Sequence, residues 1–321
     1  MRTENKKAPG DSPQMLGDFV VPSYVPNGTN TLLVVIKWGK IIVVALLLAA
    51  VGLGLWGHSR WLKKTQGLVH ALEQGAAAPA ARSQRYDDSE LATLPPVVRR
   101  YLSQVLNPNQ PLVRKLYLEQ SGTFNRSSTP PEIWDPFTAK QLVVTKRPGF
   151  VWDASILMLP GVSVRVVDAY VAGVGTLQPS VIGLFDLGGM QGTGEIARGE
   201  LIRYMAESVW YPTALLPSQG MQWKAVDANT AQATFTDGPI TVSLLFSFNA
   251  SGLVERISST ERSALVDGSM VSMPWEVRLS HYQAHSGMLV PQQAEVAWLA
   301  PAGRLPYWRG KIEKLDYEMP R

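Results

Sequence analysis

The stretch Glu195–Gly220, EIARGELIRYMAESVWYPTALLPSQG, decides the fold. Ile196, Leu201, Met205 and Val209 are spaced as one apolar side of a helix. Glu200, Arg203 and Glu207 fall at i, i+3 and i+7, so Arg203 reaches both acids. Trp210-Tyr211-Pro212 stops the pattern, because proline lacks an N–H and clashes with the preceding turn. On both sides the hydrophobic period drops from 3.6 to 2. One long helix among many strands predicts a helix laid against a sheet.

Before it, candidate strands run over 112–124, 137–146, 150–158, 162–172 and 176–187. After it they run over 221–226, 231–236, 240–249, 252–266, 275–283, 288–298 and 307–319. Turn chemistry separates them at Arg147-Pro148-Gly149, Asp237-Gly238-Pro239, Asn249-Ala250-Ser251-Gly252 and Asp267-Gly268. Strands in sequential hairpins predict an antiparallel meander, and the missing strand–helix alternation argues against a doubly wound sheet. A sheet that long curls. The expected domain is mainly β (α+β): a large curved antiparallel sheet, or half-barrel, of about a dozen strands packed on one long helix. A second, shorter helix begins at Pro95-Pro96, with Val98, Tyr101, Leu102, Val105 and Leu106 on one face.

The N-terminal region divides differently. Residues 1–30 are polar and aperiodic and read as a disordered tail. Residues 31–57 read as a transmembrane helix, with Lys37 and Lys40 snorkelling and Trp38, Trp56 and Trp61 as interfacial aromatics. A cleaved signal peptide fits less well, because the polar preface is long and no small-x-small site follows. Residues 58–86 read as an amphipathic juxtamembrane helix and an Ala/Pro linker, GAAAPAA over 75–81, and 87–321 as a single β-rich soluble domain. Lys37 and Lys40 on one side balance Arg60, Lys63 and Lys64 on the other, so the charges leave the orientation open.

Composition narrows the functions. A chain of 321 residues, 45% apolar and 17% charged, suits a folded domain with a hydrophobic segment. Its net charge of +4 comes from scattered Lys and Arg, which argues against nucleic acid as a partner. The absence of cysteine excludes disulfides, thiolate catalysis, Cys-based zinc sites and a lipidated Cys.

Several features could carry chemistry. The Glu200-Arg203-Glu207 stripe reads either as an acid–base or anion-binding constellation or as a solvated salt-bridge ladder, and the ladder is expected. The glycine-rich loop 188–194 lacks the Lys-Ser/Thr of a P-loop and reads as a crossover. His281 and His285 fall on a strand, roughly 13 Å apart, so no metal is expected. No cofactor and no catalytic residue are assigned. Asp153, Asp168 and Glu295 lie in strands, and paired carboxylates among them remain open. A bent sheet under one helix can leave an apolar cavity. The candidates to line it are Trp134, Phe150, Trp152, Tyr170, Tyr204, Met205, Trp210, Tyr211 and Trp298. Asp153, Asp168, Glu200, Arg203 and Glu207 are the polar candidates.

The blocks LPPVVRRYL (94–102), WDPFTA (134–139), PGFVWDA (148–154), WYPTALLPSQG (210–220) and PYWRG (306–310) together resemble a bacterial family known only as a domain of unknown function, numbered sixty-five forty-four. The resemblance covers Leu94 to about Glu318 and implies no activity. At the level of fold the layout is similar to LolA/LolB-type lipoprotein carriers, which implies a half-barrel that accepts acyl chains. The leading expectation is a single-pass, membrane-anchored module that binds a lipid or other apolar ligand, with its soluble domain extracytoplasmic. A ligand-free scaffold and a carboxylate-dependent hydrolase are the alternatives. The sequence names no protein partner.

Overall fold

The computed structural model describes residues 28–76, 84–127, 131–266 and 269–320. Most of the tail read over 1–30, the linker beyond Ala76 and the Asp267-Gly268 turn lie outside them. The chain divides into two compact units, 1–52 and 53–321. In the first, the leading half of helix α1 (Gly28–Ala76) exposes every side chain from Leu33 to Gly52. By length and composition this helix is long and apolar enough to cross a membrane.

The second unit begins with the other half of α1. The amphipathic pattern over 58–74, read as a membrane-surface helix, instead buries its stripe on protein. Trp61 and Leu72, flanked by Leu68 and Val69, pack on Leu142, Val144, Val151, Val167 and Ala169. Gly57 allows the close approach: a Cβ there would meet the Ile182 carbonyl oxygen at 2.4 Å.

Helix α2 (Pro96–Val105) follows, and then the first strands: β1 (Lys115–Asn125), β2 (Trp134–Val144), β3 (Gly149–Leu159), β4 (Val162–Val171), β5 (Val174–Val181), β6 (Phe185–Asp186) and β7 (Met190–Gly192). Helix α3 (Glu195–Glu207) leads to β8 (Gln222–Ala225), β9 (Thr230–Asp237), β10 (Ile240–Phe248), β11 (Val254–Val266), β12 (Ser269–His285), β13 (Met288–Ala300) and β14 (Gly303–Glu318). They form one curved, open antiparallel sheet of fourteen strands in the order β6-β5-β4-β3-β2-β1-β14-β13-β12-β11-β10-β9-β8, with β7 also on β5. The chain therefore winds outward from the middle to one edge and crosses by α3 to the other. It then winds back until β14 pairs with β1. The glycine-rich loop is part of that crossing, and its Met190–Gly192 forms a strand rather than a loop.

Alternation assigns the two faces. On β2 and β3 the side chains of Phe137, Ala139, Val143, Phe150, Trp152 and Ala154 enter the main core on the inner face. Leu142, Val144 and Val151 point outward, under α1. Hairpins at Ala172-Gly173, Ile182-Gly183 and Ser286-Gly287 have positive φ at both residues, the twist-matched two-residue turn. Gly122 and Gly310 face each other across β1 and β14. The ring of Trp308 lies over Gly310, where a Cβ would come within 2.2 Å of it. That contact is why the 306–310 block carries glycine beside its aromatics.

Helix α3 ends at Glu207, short of Trp210. Three single 3₁₀ turns, Ser208–Trp210, Pro212–Leu215 and Pro217–Gln219, carry the chain through the core. Tyr211, Leu215 and Leu216 are fully buried there. Trp210 donates to the Pro291 carbonyl at 3.1 Å, and its own carbonyl accepts from the Tyr317 hydroxyl at 2.6 Å. The segment therefore ties α3 to β13 and β14. Tyr101 of α2 packs on Phe248, closing the same end of the core.

Candidate functional site

The inner face and α3 do not fill the space between them. A cavity of about 890 Å³ remains, within the ~300–1,000 Å³ range of small-molecule sites. Its walls are mainly apolar: Ile156, Val166 and Leu177 come from one half of the sheet, Val277, Val296 and Trp298 from the other. Met158 and Leu187 also line it. They belong to the β3–β4 and β5–β6 region, where Leu157, Leu159, Val162, Phe185 and Leu187 are all exposed. Gly199, mid-helix on α3, faces the cavity, and a Cβ at that position would meet nothing within 4 Å. A glycine inside a helix costs about 1 kcal/mol relative to alanine, so this position trades helix propensity for space.

The charged stripe of α3 is not its wet side. Glu200 is 4% exposed, and Glu200, Arg203 and Glu207 all face the cavity. The reading of a solvated ladder is thereby corrected. Both sides of α3 are buried, and the complements come from the sheet. Arg203 donates through Nη1 to Asp168 of β4 and through Nε to Glu207 at 2.8 Å. Glu207 also accepts from Gln141 of β2 at 2.5 Å. The guanidinium lies 4.9 Å from the Phe150 ring centre and 4.8 Å from that of Trp152, which itself donates to Gln120 at 3.0 Å. Burial works to depress the Arg203 pKa, but Glu207, Asp168 and Glu200 outweigh it and hold the cation charged.

Glu200 lies on the other side of Asp168. Burial, and then the Asp168 charge, pushes its carboxyl well above the usual carboxylate range. Glu200 Oε2 and Asp168 Oδ1 are buried, and neither has a hydrogen-bond partner if both groups are ionised. A protonated Glu200 carboxyl would gain a donor that Asp168 can accept. The cluster is therefore three carboxyls and one guanidinium, set in the wall of an apolar chamber.

A second polar feature comes from the opposite half of the sheet. A bulge in β11 between Ser259 and Arg262 brings Arg262 to the cavity. Its guanidinium lies 4.5 Å from the Trp275 ring centre and 6.0 Å from that of Trp298. Trp275 donates to the Tyr307 hydroxyl at 3.0 Å, and Tyr307 stacks on Trp298 at 5.8 Å, so the aromatic bed is itself fixed.

The expected residues separate into three groups. Trp152, Trp210, Trp298, Asp168, Glu200, Arg203 and Glu207 come together around the cavity. Phe150, Tyr170, Tyr204, Met205 and Tyr211 are buried in the filled core. Tyr204 packs on Tyr211 and Phe235, Tyr211 donates to the Tyr204 carbonyl at 2.6 Å, and Tyr170 donates to Asp237 at 2.7 Å. Trp134 and Asp153 lie elsewhere. Arg309 stacks on Trp134 at 4.0 Å, and Asp153 accepts from Trp61 of α1 at 2.8 Å on the outer face. Burial raises the Asp153 carboxyl, against the opposing bond from Trp61. Glu295 is also outside, paired with Arg304 and Arg309 at 2.6 Å each. Arg262, Trp275, Tyr307 and Gly199 were not among the expected site residues. Of these, only the mid-helix glycine carried a local signal.

Among solved structures, similarity is found to a domain described as an outer-membrane lipoprotein-sorting protein from Vibrio parahaemolyticus. It is 7% identical, covers 64% of this chain and 86% of that one, and has a TM-score of 0.36. A LolA-superfamily protein from Nitrosomonas europaea is 11% identical over 70% of this chain and 93% of its own, with a TM-score of 0.36. A DUF1329-family protein from Desulfovibrio piger is 12% identical over 64% and 86%, again at 0.36. No curated protein sequence matches the chain. A family model does match, over residues 92–317, under a number other than that of the family the sequence blocks resemble. The chain belongs to that family, described as a family of unknown function, DUF6920.

Proposed function

We propose that this protein is a membrane-anchored binding module that holds a lipid or another apolar, acyl-bearing molecule between the inner face of its sheet and α3. The observation that carries this reading is the chamber of about 890 Å³ with mainly apolar walls. An apolar surface kept from collapsing, with glycine placed where a side chain would fill it, is costly unless something occupies the space. The anchor is supported by the run Leu33–Gly52, exposed on all sides. An apolar entrance able to meet a bilayer is supported by Phe185 and Leu187, 62% and 57% exposed, with Leu187 also lining the chamber. The soluble domain is assigned to the extracytoplasmic side, where an anchored lipid-binding module meets the outer surface of the bilayer.

Photocrosslinking tests the reading. Full-length protein in detergent is incubated with a diazirine-bearing palmitic acid, irradiated, and mapped by peptide mass spectrometry. Adducts on peptides carrying Trp152, Trp298 or α3 are expected. Labelling confined to the helix over 33–57 would reject the chamber as a binding site.

One observation favours a second reading. Asp168 and Glu200 both line the chamber, and Asp168 helps raise the Glu200 carboxyl, an arrangement able to act as base and acid toward an ester held there. Hydrolysis of a long-chain p-nitrophenyl ester that is lost in Glu200→Gln would support it. Turnover no faster than buffer alone would exclude it for esters.

A further inference from the structure

We propose that the chamber receives its ligand with an oxyanion, a carboxylate or phosphate, seated on Arg262. The inference rests on the reading of the chamber as an apolar-ligand site and adds the chemistry of the ligand's polar end.

Three arginines line the chamber, and two are already neutralised. Arg203 is held by Asp168 and Glu207, and Arg126 by Asp135 at 2.9 Å. Arg262 has no hydrogen-bond or carboxylate partner among the described residues; its contacts are the faces of Trp275 and Trp298. The neighbouring acids are engaged elsewhere. Glu195 accepts from Ser263 at 2.6 Å, Glu261 takes Arg198, and Glu276 takes Arg278 and Arg304. Glu200 is the acid whose charge acts on Arg262, and burial, then Asp168, push its carboxyl well above the usual carboxylate range, which weakens it as a counter-ion.

An unpaired guanidinium on an apolar wall has lost part of its water without gaining a counter-ion. Stacking on indole faces satisfies the π-face of the cation but leaves its edge N–H donors unused. That edge is a planar fork matched to two oxygens of one anion. The bulge puts this fork on the half of the sheet across the chamber from β3 and β5, beside the start of α3, so a molecule seated there extends its chain across the apolar floor toward Ile156 and Leu177. The Asp168–Glu207 side, carrying net negative charge, disfavours an anion at the other end.

The test compares palmitic acid, its methyl ester and palmitoyl lysophosphatidic acid as probes on full-length protein in a non-ionic detergent, by displacement of a fluorescent fatty probe. A charge-assisted pair contributes about 1.5–3 kcal/mol, which is roughly 10- to 100-fold in affinity. The wild type is therefore expected to bind at least one anionic probe about tenfold or more tighter than the ester. Arg262→Gln should reduce that preference to within about twofold while leaving ester binding intact, which also shows that the variant is folded. Arg262→Lys should keep the preference in part. The two anionic probes separate a carboxylate seat from a phosphate seat. Equal binding of acid and ester by the wild type, or an unchanged preference in Arg262→Gln, would overturn the assignment and leave the chamber reading standing. Failure of every probe, the ester included, would overturn both.

Discussion

Replacing Arg203 by methionine removes the one cation of the α3 cluster and leaves Asp168 and Glu207, with side chains 10% and 13% exposed, facing each other without a counter-ion. Stripping one partner from a buried ion pair costs about 3–5 kcal/mol, because the remaining charge stays buried. Loss of stacking on Phe150 and Trp152 adds about 0.5–2 kcal/mol. Against a typical stability of roughly 5–15 kcal/mol, this is a large share. The cost should fall as the pH is lowered. Unpaired carboxyls are raised above their unfolded values of about 3.9–4.3, so protonation restores the fold at low pH and stability is lost as pH rises. The triple variant Arg203→Met/Asp168→Asn/Glu207→Gln should recover most of the loss, since it leaves no buried charge unpaired. Urea unfolding of the full chain in detergent, followed by fluorescence of its 10 tryptophans, measures all three proteins. A single variant within about 1 kcal/mol of wild type, or a triple variant no better than the single, would refute the view that the cluster is a buried and interdependent unit.

Glu200→Gln should leave the fold intact and change its pH profile. The folded pKa of Glu200 lies above the unfolded value, so its contribution is complete below about pH 4.3 and declines as pH rises toward the folded value, by up to ~1.4 kcal/mol per pH unit. The glutamine cannot ionise, so its stability should gain on wild type as pH rises above about 4.3; parallel profiles would contradict the raised carboxyl of Glu200. The absence of cysteine makes single-site labelling clean. An environment-sensitive fluorophore on Phe185→Cys or Leu187→Cys, in bilayer discs containing nitroxide lipids, should be blue-shifted and quenched. The same label on Val226→Cys, an exposed site at the end of β8, should be neither; equal quenching at all three would remove the membrane-side entrance.

Much of the architecture was legible because the sheet obeys local rules. Alternation and turn chemistry marked the strand meander, with ends displaced by a few residues; the strand expected over 275–283 extends over Ser269–His285. Strands of two or three residues, β6 and β7, are too short to show a period. The site was legible only in part. Helical spacing grouped Glu200, Arg203 and Glu207, but it could not show that both sides of α3 are buried. The stripe opposite, with Tyr204 and Met205, was expected to line a cavity and instead fills the core against Tyr211 and Phe235. The deciding partners, Asp168 and Gln141, reach the cluster only through the registers of β2, β3 and β4. Arg262 depends on a bulge that no local pattern announces. Trp134 illustrates the reverse error: an aromatic at a strand start points to whichever face the register dictates, and here Arg309 covers it on the outside.

The central claim is that the chamber under α3 is a ligand site rather than a packing defect, and Gly199 gives direct access to it. A side chain there meets open space and improves helix propensity, so Gly199→Ala should stabilise the protein by about 0.5–1 kcal/mol and Gly199→Trp should fold while filling the chamber. Native mass spectrometry of the full chain, released from the same host in the same detergent, compares bound lipid in wild type and Gly199→Trp. A discrete bound species on wild type that is absent from Gly199→Trp is the predicted result. The same lipid at the same occupancy on both proteins would contradict the account.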